Sequence, residues 1–106
     1  MIGTMKFYRH LYVSDSIRNL EKVKWKLRHN AGQITIYIIA LAKSDDQLDI
    51  FHCSILQQRF YDKKDLFVVG LASGYGEAID MVVALTEKVA AETGGADIKK
   101  YILDHR

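Results

Sequence analysis

The sequence predicts an α+β domain with a three-stranded antiparallel sheet, in the element order α-β-β-β-α plus a short C-terminal helix, with the helices packed on one sheet face. Residues 33–42 are rich in isoleucine, which favours a strand. Residues 48–57 follow a short polar turn, and so short a connection joins antiparallel strands. Residues 66–71 are apolar throughout, a pattern typical of a strand buried on both faces.

A long helix is predicted over residues 77–93. Its apolar positions recur at the 3.6-residue period of a helix. Glu77 stands in the first turn, where a carboxylate favours the positive end of the helix dipole. Gly94 and Gly95 end the helix, because glycine adopts the left-handed conformation without steric cost. The predicted apolar stripe consists of Ile79, Val82, Val83, Thr86, Val89 and Ala90.

Residues 17–29 fit two structures. As a helix, their apolar side chains share one face, and the polar side chains of residues 14–16 supply its N-cap. As a strand, Trp25 alternates with basic residues, and residues 30–32 form a hairpin turn. We favour the helix, although it leaves Trp25 off the apolar face.

Length and composition indicate one globular domain over residues 1–106. We divide it into an N-terminal arm or short strand (1–13), the α-β-β-β-α core (14–95) and a short terminal helix (96–106). Hydrophobic residues make up 49% and charged residues 26% of the chain, which argues against disorder. No apolar run is long enough to cross a membrane, and no secretory signal is visible. The single cysteine fits a reducing compartment, so we expect a cytoplasmic protein.

Basic residues are concentrated in the N-terminal 30 residues of the chain. The net charge is +2, yet residues 1–30 hold seven Lys or Arg against two acidic residues. A helix over residues 17–29 gathers part of this charge on one face, which could meet the phosphates of a nucleic acid. That face consists of Arg18, Lys22, Lys26 and His29.

The order helix-strand-strand-strand-helix over about residues 15–93 resembles that of double-stranded RNA-binding domains. The resemblance implies a nucleic-acid partner. The chain departs from that family at two places. Glu77, Ala78, Ile79 and Asp80 stand where the family carries a lysine cluster, and the loop at residues 43–47 is mostly acidic. Nucleic-acid binding through the basic face of the first helix is therefore the alternative function.

A three-stranded sheet covered on one face would expose apolar side chains on the other. Such a patch usually marks an interface, and symmetric dimers are the commonest way to bury one. We therefore expect a homodimer that forms through the sheet or a sheet edge. The candidate interface residues are Tyr37, Ile39, Leu41 and Phe51.

The turn between the last strand and the long helix is the candidate ligand site. Free amides at a helix N-terminus attract anions, which makes Gly74, Tyr75 and Gly76 candidate anion-binding residues. The turn lacks the lysine and Ser/Thr of a P-loop, so the favoured interpretation is a tight strand-to-helix corner. A small enzyme or ligand-binding protein that uses this turn, with Tyr75 and His52, is a third hypothesis.

Other chemistry is not indicated by the sequence. His52 and Cys53 are neighbours on a predicted strand, so their side chains point to opposite faces and make a poor catalytic pair. The four histidines show no metal-ligand spacing. We predict no catalytic residue, metal or cofactor, and expect a small non-catalytic interaction or regulatory module.

Overall fold

The computed structural model of the chain, which describes residues 5–29, 36–42, 47–57 and 66–106, contains a four-stranded mixed sheet with helices on both faces. The strands are β1 (Lys6–Val13), β2 (Tyr37–Leu41), β3 (Leu48–His52) and β4 (Phe67–Ala72). The helices are α1 (Leu20–His29), α2 (Tyr75–Thr93) and α3 (Ile98–Asp104), and a 3-10 helix spans Cys53–Gln57.

Strand β4 lies inside the sheet, whose strand order is β1-β4-β2-β3. It pairs in parallel with β1 and antiparallel with β2, and β2 pairs antiparallel with β3. The predicted α+β class and the prediction that this strand is buried on both faces are confirmed. The predicted three-stranded antiparallel sheet is wrong, because the N-terminal segment forms β1 and adds a parallel pair.

Two core clusters cover the two faces of the sheet. Ile38 and Ala40 of β2 face the cluster that contains Leu27 of α1, whereas Ile39 faces the cluster built by α2 and α3. The prediction that the helices share one face is therefore wrong. Alternate residues of β2 point to opposite faces, and both sets are apolar, so each face needs a helix to exclude water.

The helical interpretation of the basic segment is confirmed, with a different start. Helix α1 begins at Leu20, and the Lys22 N–H donates to Asn19 Oδ1 at 3.1 Å, so Asn19 caps it. The predicted cap at residues 14–16 is wrong. Trp25 lies off the apolar face, as the helical interpretation required, and its side chain is 55% exposed.

Helix α2 begins two residues before the predicted start and ends at Thr93 as predicted. Gly94 follows with φ 73°, and its N–H donates to Ala90 O at 2.9 Å. The predicted stripe is partly wrong, because the side that faces the sheet is formed by Ala78, Leu85 and Val89. Ile79 and Val83 lie beside this buried side and remain exposed. The predicted terminal helix is confirmed as α3, whose N-cap Asp97 accepts from the Lys100 N–H.

The predicted second strand is too long. It ends at His52, where the chain turns into the 3-10 helix and the Cys53 N–H donates to Ile36 O at 2.9 Å. Of the predicted first strand, β2 covers residues 37–41 and residues 33–35 lie outside the described residues. Most of the acidic turn (43–46) and the segment 58–65 also lie outside them.

Gly70 allows β1 to approach β4. A Cβ atom at this position would lie 3.2 Å from Ile39 Cδ1 and 3.3 Å from the backbone oxygen of Tyr12. We expect Gly70→Ala to lower the free energy of unfolding by about 1–3 kcal/mol, the usual cost of overpacking. Urea denaturation measures this change in the free energy of unfolding.

Gly76→Ala is the matched control, since a Cβ there meets nothing within 4 Å. Alanine also favours a helix over glycine, so we expect this control to keep or raise stability. Equal stability of Gly70→Ala and the unsubstituted protein would show that β1 does not need the close approach.

Candidate functional site

The N-terminus of α2 meets the ends of β1 and β4. These strands are parallel, so their C-terminal ends lie at the same edge of the sheet. Ser14 follows β1 directly and Ser73 follows β4 directly, while Glu77 lies in the first turn of α2. The topology therefore gathers three polar side chains that are far apart in the sequence.

Hydrogen bonds join these side chains into one cluster. The Ser14 and Ser73 hydroxyls donate to the two carboxylate oxygens of Glu77, each at 2.6 Å. The Ser73 N–H donates to Ser14 Oγ at 3.2 Å. Ser16 Oγ lies 2.6 Å from Ser73 Oγ and is the donor in that pair, because the Ser73 proton is directed to Glu77. The two serine hydroxyls hold the pKa of Glu77 below its ordinary value.

The predicted anion-binding residues Gly74, Tyr75 and Gly76 lie beside this cluster. Gly74 is the N-cap of α2, has an extended backbone and provides no side-chain cap. An anion at the amides of this turn would face the Glu77 carboxylate, whose negative charge the serines stabilise. The geometry is that of a clasp that fixes the start of α2 to the ends of β1 and β4.

The basic residues of α1 form a second candidate surface. Arg18, Lys22 and His29 are exposed and Lys26 is half-buried, although Arg18 precedes the helix. His29 stacks on the exposed ring of Trp25, with centroids 4.4 Å apart. Sequence reasoning did not include Trp25 in this surface, although its place off the apolar face pointed there.

Lys24 belongs to a different environment from the basic surface. Its ammonium group lies 3.5 Å from a Glu21 carboxylate oxygen and 5.2 Å from the centroid of the Phe7 ring. Its charge is therefore directed toward the body of the protein.

A third candidate surface lies on the exposed part of α2, beside the side that packs on the sheet. Tyr75, Ile79 and Val83 follow one another at intervals of four residues and are 55%, 38% and 49% exposed. The ring of Tyr37, on β2, contacts the Tyr75 ring edge-on with centroids 5.6 Å apart and the His52 ring at 5.2 Å. We call Tyr37, Tyr75, Ile79 and Val83 the α2 outer surface.

The four predicted interface residues have different environments. Tyr37 reaches the α2 outer surface. Ile39 is 1% exposed beneath the helices, and Leu41 is half-buried against the same cluster. Phe51 is half-buried on the opposite face, against the cluster that contains Leu27. The structure therefore does not bring the four together on one surface.

Metal and nucleophile chemistry finds little support. Within residues 5–29, 36–42, 47–57 and 66–106, no three His, Cys, Asp or Glu side chains are grouped so that they could hold a metal ion. The Nδ1 atom of His52 accepts from the Ser54 N–H at 3.1 Å, and Cys53 is buried in the core. None of the described helices is both long and apolar enough to span a membrane.

Comparison of the chain with protein-family models, with curated proteins and with solved structures gave no match. Function must therefore be argued from the surfaces themselves.

The serine–glutamate clasp makes stability depend on pH. The pKa of Glu77 lies below the ordinary glutamate value of 4.5, because the Ser14 and Ser73 hydroxyls stabilise the charged form. The stabilisation is fully present above about pH 4.5 and is lost as pH falls through the lower folded-state pKa. We expect Glu77→Gln to be less stable than the unsubstituted protein at pH 7 and to approach it at pH 3, as measured by urea denaturation at each pH.

Glu87→Gln removes an exposed carboxylate from the same helix, away from the serines, and is the matched control. A stability difference for Glu77→Gln that is the same at both pH values would contradict the clasp.

Proposed function

We propose that this chain is a non-catalytic interaction module of the cytoplasm that forms a homodimer through the α2 outer surface. The observation that carries the proposal is the row of large apolar side chains, Tyr75, Ile79 and Val83, left exposed on one side of α2. Cys53 is the single cysteine and cannot form an internal disulfide, which supports a reducing compartment such as the cytoplasm.

Beyond Val83 the row shifts by one residue, because the next position at an interval of four is the charged Glu87. Thr86 and Ala90 continue the row, and both are uncharged. The Thr86 hydroxyl donates to Val82 O at 2.7 Å, so its hydrogen-bonding capacity is already met within the helix. The row covers about four turns of α2, and its part from Ile79 to Ala90 can lose its water without leaving a side-chain polar group unpaired.

A second copy of the chain is the partner that we propose. In a two-fold dimer each contact is made twice, and two α2 helices packed against each other would cover the rows of both copies. Burying an isoleucine or valine side chain completely is worth about 1.5–3 kcal/mol. Since these side chains are already partly covered, the tyrosine rings of the α2 outer surface must add to the contact.

The dimer is tested by molar mass. We expect light scattering after gel filtration to give about twice the chain mass of 12.1 kDa at micromolar concentration. The double substitution Ile79→Lys and Val83→Lys should give the monomer mass, because two charges on each copy would have to lose water in the interface. Circular dichroism should stay the same, since neither side chain faces the core.

Leu103→Lys is the matched control, because Leu103 is exposed to a similar degree but lies on α3. It should leave the dimer intact. A monomeric unsubstituted protein, or a dimer that survives the double substitution, would refute the proposed interface.

Nucleic-acid binding through α1 is the second candidate function. The specific observation in its favour is the exposed Trp25–His29 stack beside Lys22 and Lys26. Proteins that bind single strands combine aromatic side chains, on which bases stack, with basic side chains that contact the backbone. The predicted basic face thus gains an aromatic element.

Trp25 is the chain's single tryptophan, so its fluorescence reports directly on this surface. If the second candidate is correct, single-stranded or duplex RNA should quench it, and salt should weaken the binding. Replacement of Lys22 and Lys26 by alanine should lower affinity. The slope of log affinity against log salt should also fall by about one for each phosphate that no longer pairs with a lysine.

Lys88→Ala, on a different helix, is the control and should leave RNA binding unchanged. Absence of retention on heparin at low salt, together with unchanged tryptophan fluorescence, would eliminate this function.

A further inference from the structure

A cleft opens where β1 leaves its regular pairing with β4. Phe7 pairs with Val68 and Tyr12 pairs with Gly70, so the four residues 8–11 of β1 lie opposite Val69 alone. Bulges of this kind redirect side chains and are common beside functional sites. The cleft has a volume of about 490 Å³ and lies between this bulge, α2 and α3.

Aromatic rings form most of the wall. Tyr8 and Tyr101 are 4% and 8% exposed. The Tyr8 ring meets the His10 ring edge-on at 5.4 Å between centroids, and the Tyr101 ring stacks on His105 at 4.2 Å. Tyr12 also lines the cleft. Because Tyr8 and Tyr101 are buried, the rings that a planar molecule can reach are those of His10, His105 and the half-buried Tyr12.

The polar groups of the cleft include phenols, two imidazoles and an ammonium group. Burial raises the pKa of Tyr8 and of Tyr101, so both phenols remain protonated at neutral pH. Lys88 of α2 supplies an ammonium group and takes part in neither of the ion pairs found among the described residues.

Two more charged groups lie at the margin of the cleft. The guanidinium group of Arg9 donates to His105 O at 3.3 Å. The Glu92 carboxylate accepts from the Tyr101 hydroxyl at 3.1 Å. Lys88 and Arg9 together place two positive charges against this one carboxylate, which favours an anion over a cation.

We propose that this cleft binds a small aromatic carboxylate, with the ring against the His10 and His105 rings and the carboxylate on Lys88. Its volume is within the range of small-molecule sites, and such sites combine apolar walls with a few placed polar groups. A purely apolar ligand would leave the ammonium group without a partner, and an aliphatic anion would not use the rings.

Benzoate is the probe. Its titration into the ¹⁵N-labelled full chain should give saturable shifts of the backbone amides in residues 8–12 and 101–105 and at Lys88. Benzamide has the same ring without the charge and should bind more weakly, as should acetate, which lacks the ring. Lys88→Gln should weaken benzoate binding about tenfold, the effect of removing one charge-assisted hydrogen bond.

Lys22→Gln, which removes a charge from α1, should leave benzoate binding unchanged. Shifts spread over the whole chain, equal binding of benzoate and benzamide, or full affinity in Lys88→Gln would each refute the site.

The site and the proposed dimer can fail separately. Lys88 is nine residues after Ile79, and at about 100° per residue this puts it on the opposite side of α2. The Ile79→Lys and Val83→Lys double substitution should therefore leave benzoate binding intact.

Discussion

The sheet depends on β4, because the side chains of this strand must be kept from water on both faces at once. Val68 and Leu71 are buried in the α1 cluster, while Val69 and Ala72 are buried under α2 and α3. No single helix layer can satisfy that requirement. Strand β4 therefore pairs with a strand on each edge, and helices pack on both faces of the sheet. The other elements are positioned relative to this strand.

The candidate surfaces follow from the same constraint. Because β1 runs parallel to β4, Ser14 and Ser73 arrive at one edge, where Glu77 of α2 joins them. Because the two strands pair regularly only at their ends, the middle of β1 is free to bulge and open a cleft against α3. Gly70 allows the close approach of the two strands, since a Cβ atom on residue 70 would lie only 3.3 Å from the backbone oxygen of Tyr12. The surfaces are therefore consequences of one strand pairing.

The sequence was informative where structure is local. The strand before α2, the helix itself and its end at Gly94 are encoded by residues next to one another, and each was predicted. The parallel pairing of β1 was not, because its partner lies about sixty residues away and its bulge removes the alternation that identifies a strand. The Ser14–Glu77 contact, which spans 63 positions, has no local signal for the same reason. Trp25 was predicted in part. The sequence shows that this residue lies off the apolar face of α1, but it does not show that the Trp25 ring stacks on His29.

Ile79 and Val83 belong to neither core cluster of the described residues, so packing within that part of the chain does not explain their type. The side of α2 that packs on the sheet is already complete with Ala78, Leu85 and Val89. Helix propensity does not favour them either, because β-branched side chains lose rotamer freedom in a helix and rank below alanine, leucine or lysine at exposed positions. Ile79 and Val83 lie one turn apart, and Thr86 and Ala90 continue the row. Apolar side chains in this arrangement are typical of a surface that is buried in an interface. In the dimer that we propose, the second copy supplies this cover, because two α2 helices packed together remove both rows from water.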